Sequence, residues 1–306
     1  MPSKKKLIVR LKGGLGNQLF SYAAGYSIAD SNSYELVLDT QSGFVYDSIY
    51  QRHFALDSFN INCRHASWKE RLIPLDRVRR RLKKHFNHKK ELSKRSYIVE
   101  ANQDFDPAIK AISLEKQVVY LDGLWQNFQY FEDYELAIKK NLTFNISPNE
   151  QNIKFSEWMC LNHIAVLHLR FFSSHQQSNK SEDVSLNYYK RAIQYLNENA
   201  KVSSFAVFTD DVLAAENFLE DLKGNFFLVD WNQGSGDEIF DLWLMTQGSH
   251  FILANSTFSW WAAWLSKKAQ EGLIIYPCFI ENEDNTKSWS WNFPGQMPKT
   301  WISLPV

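Results

Sequence analysis

From residue 164 onward the chain alternates short apolar runs with helical stretches, and that alternation constrains the fold more than any other feature. Apolar runs stand at 164–167, 205–208, 226–229, 251–253 and 273–276, and helical patterns at 188–196, 212–219, 238–245 and 259–265. Continuous apolar runs this short fit strands buried on both faces. Strands that alternate with helices build a parallel sheet covered by helices on both sides. Such sheets take their ligands at the carboxyl ends of the strands. The residues just after each run therefore carry the functional weight.

The first half repeats the theme more faintly. A strand is predicted at 7–11, a helix at 18–29, and further strands at 36–38 and 118–121, the last trailed by an aromatic stretch at 125–134. Ser147-Pro148-Asn149 interrupts the pattern. The expected division is a first α/β domain over 1–150 and a second over 151–306, two Rossmann-like halves facing a cleft.

Composition excludes several classes. The net charge is zero, which argues against a general nucleic-acid binder. The three cysteines, Cys63, Cys160 and Cys278, are scattered and form no CxxC pair, so no zinc site or disulfide framework is expected and a reducing compartment is. No apolar run reaches the roughly 18 residues of a membrane span. The expectation is a cytoplasmic protein.

Residues 64–95 depart from the rest, with thirteen Lys and Arg against three Asp and Glu. Two readings stand equally. One is contact with an anionic membrane surface, which would place the protein peripherally on the inner face of the membrane, or with a phosphate-bearing acceptor. The other is a solvated, partly mobile insertion.

Three strand ends carry chemistry. His168 and Arg170 follow the run at 164–167, and a guanidinium there can grip a diphosphate bidentately; the plainer alternative is a structural ion pair. Thr209, Asp210 and Asp211 follow the run at 205–208, where a carboxylate can accept from a base or ribose or simply cap the next helix. Asn255, Ser256, Thr257, Phe258 and Ser259 follow the run at 251–253. A helix starting there offers unpaired N–H groups and a positive dipole end to an anion, beside the alternative of an N-cap ahead of an aromatic core helix. Asp237, Glu238 and Asp241 are secondary candidates as orienting groups, though acids also favour a helix start. In the first half, the loop Gly13-Gly14-Leu15-Gly16-Asn17-Gln18 permits close backbone approach to a ligand. It matches neither the dinucleotide fingerprint nor the P-loop.

Together these residues resemble glycosyltransferase family 11, the bacterial-type α-1,2-fucosyltransferases. The matching elements are the loop Gly13 to Phe20, His168-x-Arg170, Thr209-Asp210-Asp211, Asp241 with Met245, and Asn255 to Trp261. The resemblance implies a GT-B-like fold. It implies inverting transfer of L-fucose from GDP-fucose to the 2-OH of a galactose-type acceptor glycan, in O-antigen or polysaccharide assembly. It further implies a lipid-linked oligosaccharide or other glycan as acceptor, with neither a metal nor a cofactor. In that reading Arg170, with His168, is catalytic and steadies the departing GDP. Asp210 or Asp211 contacts guanosine, and Ser256, Thr257 and Ser259 face the phosphates. Gly14, Gly16 and Asn17 line the cleft as donor-binding residues, near the donor sugar or the acceptor. The family continues its His-x-Arg element with Arg-Gly-Asp, where this chain has Phe171-Phe172-Ser173. That departure opens two alternatives: a same-scaffold transferase for another nucleotide sugar, and a glycan-binding protein without turnover. His175 or the basic block is then the candidate substitute for the missing cation.

Overall fold

The computed structural model describes residues 4–48, 50–101, 104–171, 184–234, 236–278 and 297–306. The chain divides into two compact units, the first running to Asn145 and including Met297 from near the end of the chain, the second beginning at Ile146 and resuming at Pro298.

The first unit holds β1 (Lys6–Arg10), α1 (Leu15–Ser31), β2 (Glu35–Asp39), β3 (Arg64–His65), α2 (Asp76–Asn87), β4 (Tyr97–Val99), α3 (Pro107–Lys110), β5 (Val118–Asp122) and α4 (Glu135–Asn141). Its sheet runs β3-β2-β1-β5-β4, with every pairing parallel. α1 begins at Leu15, three residues ahead of the sequence expectation. Gly13 turns the chain at φ +75°, a conformation glycine adopts without penalty. The Gln18 amide then locks the turn, donating to the carbonyls of Gly13 and His53 and accepting from Ala55 N–H.

The basic block is not simply a solvated insertion. It contains β3, which pairs with β2, and α2, whose buried side is polar. Asp76 is fully buried and meets Arg10 and Arg80 at 3.5 and 3.9 Å, and Arg80 reaches Asp122 at 2.8 Å. Asn87 accepts from Ser96 N–H.

The second unit holds α5 (Glu150–Leu161), β6 (Ala165–Leu169), α6 (Leu186–Ala200), β7 (Ser204–Thr209), α7 (Val212–Leu219), β8 (Asn225–Leu228), α8 (Glu238–Met245), β9 (Phe251–Ile252), α9 (Thr257–Leu265), β10 (Ile274–Cys278) and β11 (Ile302–Pro305). The order is β11-β10-β9-β6-β7-β8, again all parallel. The sequence reading missed β11. Ile302-Ser-Leu-Pro is short and ends in proline, a residue that favours edge strands, and β11 is an edge strand.

In this order the chain leaves β6 toward β7 and β8, then returns to the other flank of β6 with β9. The winding reverses between β6 and β9. Carboxyl ends at such a reversal splay apart and form the ligand crevice of open α/β sheets. β6 alternates cleanly. Ala165, Leu167 and Leu169 join the core cluster with Tyr188, Tyr189 and Ala192 of α6, so Val166 and His168 take the opposite face.

Candidate active site

Arg170 leaves β6 one residue beyond the strand and shares a face with His168. Its Nη1 lies 2.7 Å from Asp210 Oδ2 at the end of the neighbouring β7, with the two side chains 20% and 16% exposed. Asp210 Oδ1 accepts from the backbone N–H of Phe171. Asp210 thus braces the Arg170–Phe171 turn and fixes one edge of the guanidinium. This contact fits a positioning role for Asp210. Asp211 is the N-cap of α7, accepting from Ala214 N–H, and Thr209 Oγ1 bonds within the same turn. For Asp211 the structure shows the capping role.

His168 is 5% exposed, and its Nδ1 has no hydrogen-bond partner among the described residues. Burial pushes its pKa down to about 4; Asp210 opposes that shift and Arg170 adds to it. The ring is therefore neutral near pH 7 and lies 6.1 Å from the Phe258 ring.

Ser256 caps α9, accepting from Phe258 N–H at 3.3 Å. Thr257 and Phe258 open the helix, half-exposed, and Asn255 is buried just before it. Ser259 is fully buried, and its hydroxyl donates to the Ser256 carbonyl. It serves the helix start and does not face outward. The start is held rigidly because the rest of α9 is core. Trp260, Trp261 and Trp264 are buried, Trp260 stacking on Trp264 at 5.9 Å and meeting Trp261 edge-on. The capped aromatic core helix is thus what the structure shows for this segment, with the Phe258 ring near the His168 ring of β6.

The carboxyl ends of β6 and β9 are fastened from α6, which sequence reasoning missed. Tyr189 Oη donates to the His168 carbonyl at 2.9 Å, and Tyr188 Oη donates to the carbonyls of Leu253 and Ile275 at 2.8 and 3.2 Å. Both rings are buried. The adjacent tyrosines were the available signal, but they read as ordinary helix-core residues.

The secondary acids belong to a different network. Asp241 Oδ1 accepts from Asn232 Nδ2 at 2.8 Å, and Asn232 and Asn152 exchange hydrogen bonds that also engage Trp231 Nε1. Burial pushes the Asp241 pKa up to about 7, with Asp237 and Glu238 adding to the rise against the Asn232 bond. Asp237 accepts from Gly234 N–H, and Glu238 opens α8. The contacts described for these acids tie them to α5 and the 231–234 loop, and none of them is to Arg170.

The glycine loop belongs to the first unit. Gly14 caps α1, and Gly16 is buried in its first turn. Asn17 Oδ1 accepts from Gln126 Nε2 at 2.7 Å. Gln126 follows Trp125, a residue at φ +55°. Glu100, just past β4, holds that turn by accepting from the N–H groups of Leu124 and Trp125 at 2.7 and 2.9 Å. His175 lies outside the described residues. Among the described residues, no group of three or more His, Cys, Asp or Glu side chains is arranged to hold a metal ion.

The departure at Phe171 has a physical role. Its ring packs on the second unit's core and meets Phe218 edge-on at 5.8 Å. A side chain seated in that core supplies no cation, so among the described residues that follow β6 the cation is Arg170.

Two wound parallel sheets, with a cation and a helix amino terminus at the ends of neighbouring strands of the second, fit a GT-B-type architecture. The chain belongs to glycosyl transferase family 11, whose profile matches residues 6–293. It is 31% identical over 306 residues to an Escherichia coli alpha-1,2-colitosyltransferase, covering 97% of this chain and 98% of the relative. It is 30% identical to the Escherichia coli O-antigen biosynthesis glycosyltransferase WbnK, over 87% of this chain and 92% of that one. In fold it is similar to an Arabidopsis thaliana FUT1 mutant in complex with GDP, with a TM-score of 0.52, 12% identity, and coverage of 90% of this chain and 70% of that one. It is also similar to NodZ alpha-1,6-fucosyltransferase soaked with GDP-fucose, with a TM-score of 0.50, 15% identity, and coverage of 86% and 93%. No helix among the described residues is long and apolar enough to cross a membrane.

Proposed function

We propose that the protein transfers L-fucose from GDP-fucose to the 2-OH of a galactose-type glycan, with inversion, in O-antigen or related polysaccharide assembly. The observation that carries this reading is the placement of Arg170 just after β6 and of the α9 amino end just after β9, on the two neighbouring strands where the winding reverses. Bond breaking at the sugar builds negative charge on the departing diphosphate. A fixed guanidinium and oriented N–H groups meet that charge without reorganising, and one such donor is typically worth about 2.7–4 kcal/mol in the transition state. Neutral His168, buried beside them, offers a ring nitrogen to donor or acceptor without adding charge. The first unit, through Asn17 and the glycine loop, is assigned to the acceptor side. Arg170 and the α9 amides carry the leaving-group charge in this scheme, so turnover is expected to survive EDTA.

A second reading is favoured by the colitosyltransferase relative: the donor sugar is the 3-deoxy counterpart of fucose. The chemistry of the pocket separates the two. A site that hydrogen-bonds a substrate hydroxyl rejects the analogue lacking it by about 10⁴–10⁵, whereas an apolar site rejects an added hydroxyl by only about 10². Steady-state kinetics with GDP-fucose and GDP-colitose, followed by NMR assignment of the product linkage, decide between them. A strong preference for GDP-fucose with an α-1,2 product supports the first reading, and a preference for GDP-colitose replaces it with the second. Nucleotide binding without transfer to any galactoside removes both.

A further inference from the structure

The helix α2 is built inside out. Its 12 residues include one acid, Asp76, which is fully buried and turned inward to Arg10 and Arg80. Arg79 also turns inward, donating to the carbonyls of Arg71 and Leu72, and Asn87 is held by Ser96. The side that packs on the first unit is therefore polar and charged. The outward side carries an apolar stripe among exposed Arg77, Arg81, Lys84 and His85: Leu75, the residue just before the helix, is 67% exposed, Val78 53%, Leu82 50% and Phe86 64%. These four follow one another at spacings of three and four, so they lie on one stripe. Beside that stripe Arg81 and Lys84 are exposed, and no acid on the helix faces outward to neutralise them.

A surface helix ordinarily turns its apolar stripe to the core. Here the buried Asp76 and Asn87, with the Arg80 pair to buried Asp122, fix the reverse orientation, so the exposed stripe is a built feature of the fold. An apolar stripe flanked by cations matches one environment in both respects, the interface of an anionic bilayer. Hydrocarbon side chains enter the acyl boundary there while Lys and Arg remain among the headgroups. A helix of this length lies flat over roughly 18 Å.

We propose that α2 is an interfacial membrane-docking helix. Leu75, Val78, Leu82 and Phe86 insert into the leaflet, and Arg81 and Lys84 pair with anionic headgroups. The surface serves the protein independently of which sugar is transferred.

The test is co-sedimentation of the full chain with phosphatidylcholine vesicles containing about a third phosphatidylglycerol, against pure phosphatidylcholine. Binding is expected only to the anionic vesicles. Leu82→Asp with Phe86→Asp should abolish it. Arg81→Gln with Lys84→Gln should weaken it roughly thirtyfold, since each cation near the surface contributes about 1 kcal/mol. These side chains are exposed, so the variants should melt like the parent. Hydrogen exchange on the unmodified protein gives a readout free of any variant: anionic vesicles, and not neutral ones, should slow exchange across 75–87. Equal binding to both vesicle types, binding unchanged by the two aspartates, or no change in exchange would overturn the proposal. So would light scattering that shows a dimer broken by the aspartates with no vesicle binding, which would assign the stripe to a second copy of the chain.

Discussion

Arg170 Nη1 and Asp210 Oδ2 lie 2.7 Å apart across the carboxyl ends of two neighbouring strands. The carboxylate that aims the guanidinium also accepts from the next backbone N–H, at Phe171. One acid therefore sets both the direction of the cation and the course of the chain leaving β6.

Arg170→Ala should lower kcat about 10²–10³-fold, the usual cost of losing one transition-state donor. Arg170→Lys should recover part of that loss, because a point charge replaces a fork. Asp210→Asn, which keeps an acceptor for Phe171 N–H, should act mainly on donor KM and less on kcat. Steady-state kinetics on the three variants check this ordering, and an Arg170→Ala enzyme with parental turnover would remove Arg170 from the chemistry.

Acid should destabilise the protein through His168. Its folded-state pKa is lowered to about 4 by burial, while in the unfolded chain an imidazole takes up its proton near 6.5. Between those values the unfolded state binds more protons, so stability falls as pH drops through the window. Melts from pH 8 to 4 should show a shallower decline for His168→Asn than for the parent.

Asp241 should act in the opposite direction. Burial raises its pKa to about 7, so the folded protein keeps a proton that the unfolded chain has lost above about pH 4. Stability is drained as pH rises toward 7, and the whole cost persists above it. Asp241→Asn should raise Tm by a few degrees at pH 8 and by less at pH 5. An equal shift at both values would show that the acid is ionised throughout.

Tyr189→Phe removes the hydroxyl that holds the His168 carbonyl, at a cost of about 1 kcal/mol in stability. If that bond positions the strand end, kcat should fall while donor KM changes little. Adding Tyr188→Phe, which releases Leu253 and Ile275, should enlarge the effect. Parental kcat in the double variant would confine both tyrosines to packing.

The second sheet was legible because each of its central strands is a dense apolar run followed at once by polar residues. Arg170, Asp210 and the Ser256 turn could be placed at strand ends on that pattern alone, whereas His168, read as following its strand, lies inside β6. Ser259 could not be separated from Thr257, since a hydroxyl in the first turn of a helix either faces out or folds back, and the sequence is the same for both. Asp241 looked like a helix-start acid, and its bonds to Asn232, with Asn152 beyond, are made across tertiary distance that no local pattern encodes. The first sheet was fainter. β3 has two residues and β4 three, and the helix α2 presents its apolar side to solvent, which defeats any periodicity argument that assumes a buried stripe.

Trp125 holds a left-handed backbone that costs a non-glycine residue about 1–3 kcal/mol. Glu100 answers for it with both carboxylate oxygens. Next along the chain, Gln126 props Asn17. The glycine loop thus depends on a latch remote from it in sequence: released by Glu100→Ala, the peptide is expected to relax to negative φ and draw its neighbour off the loop, loosening a surface where no residue had been altered.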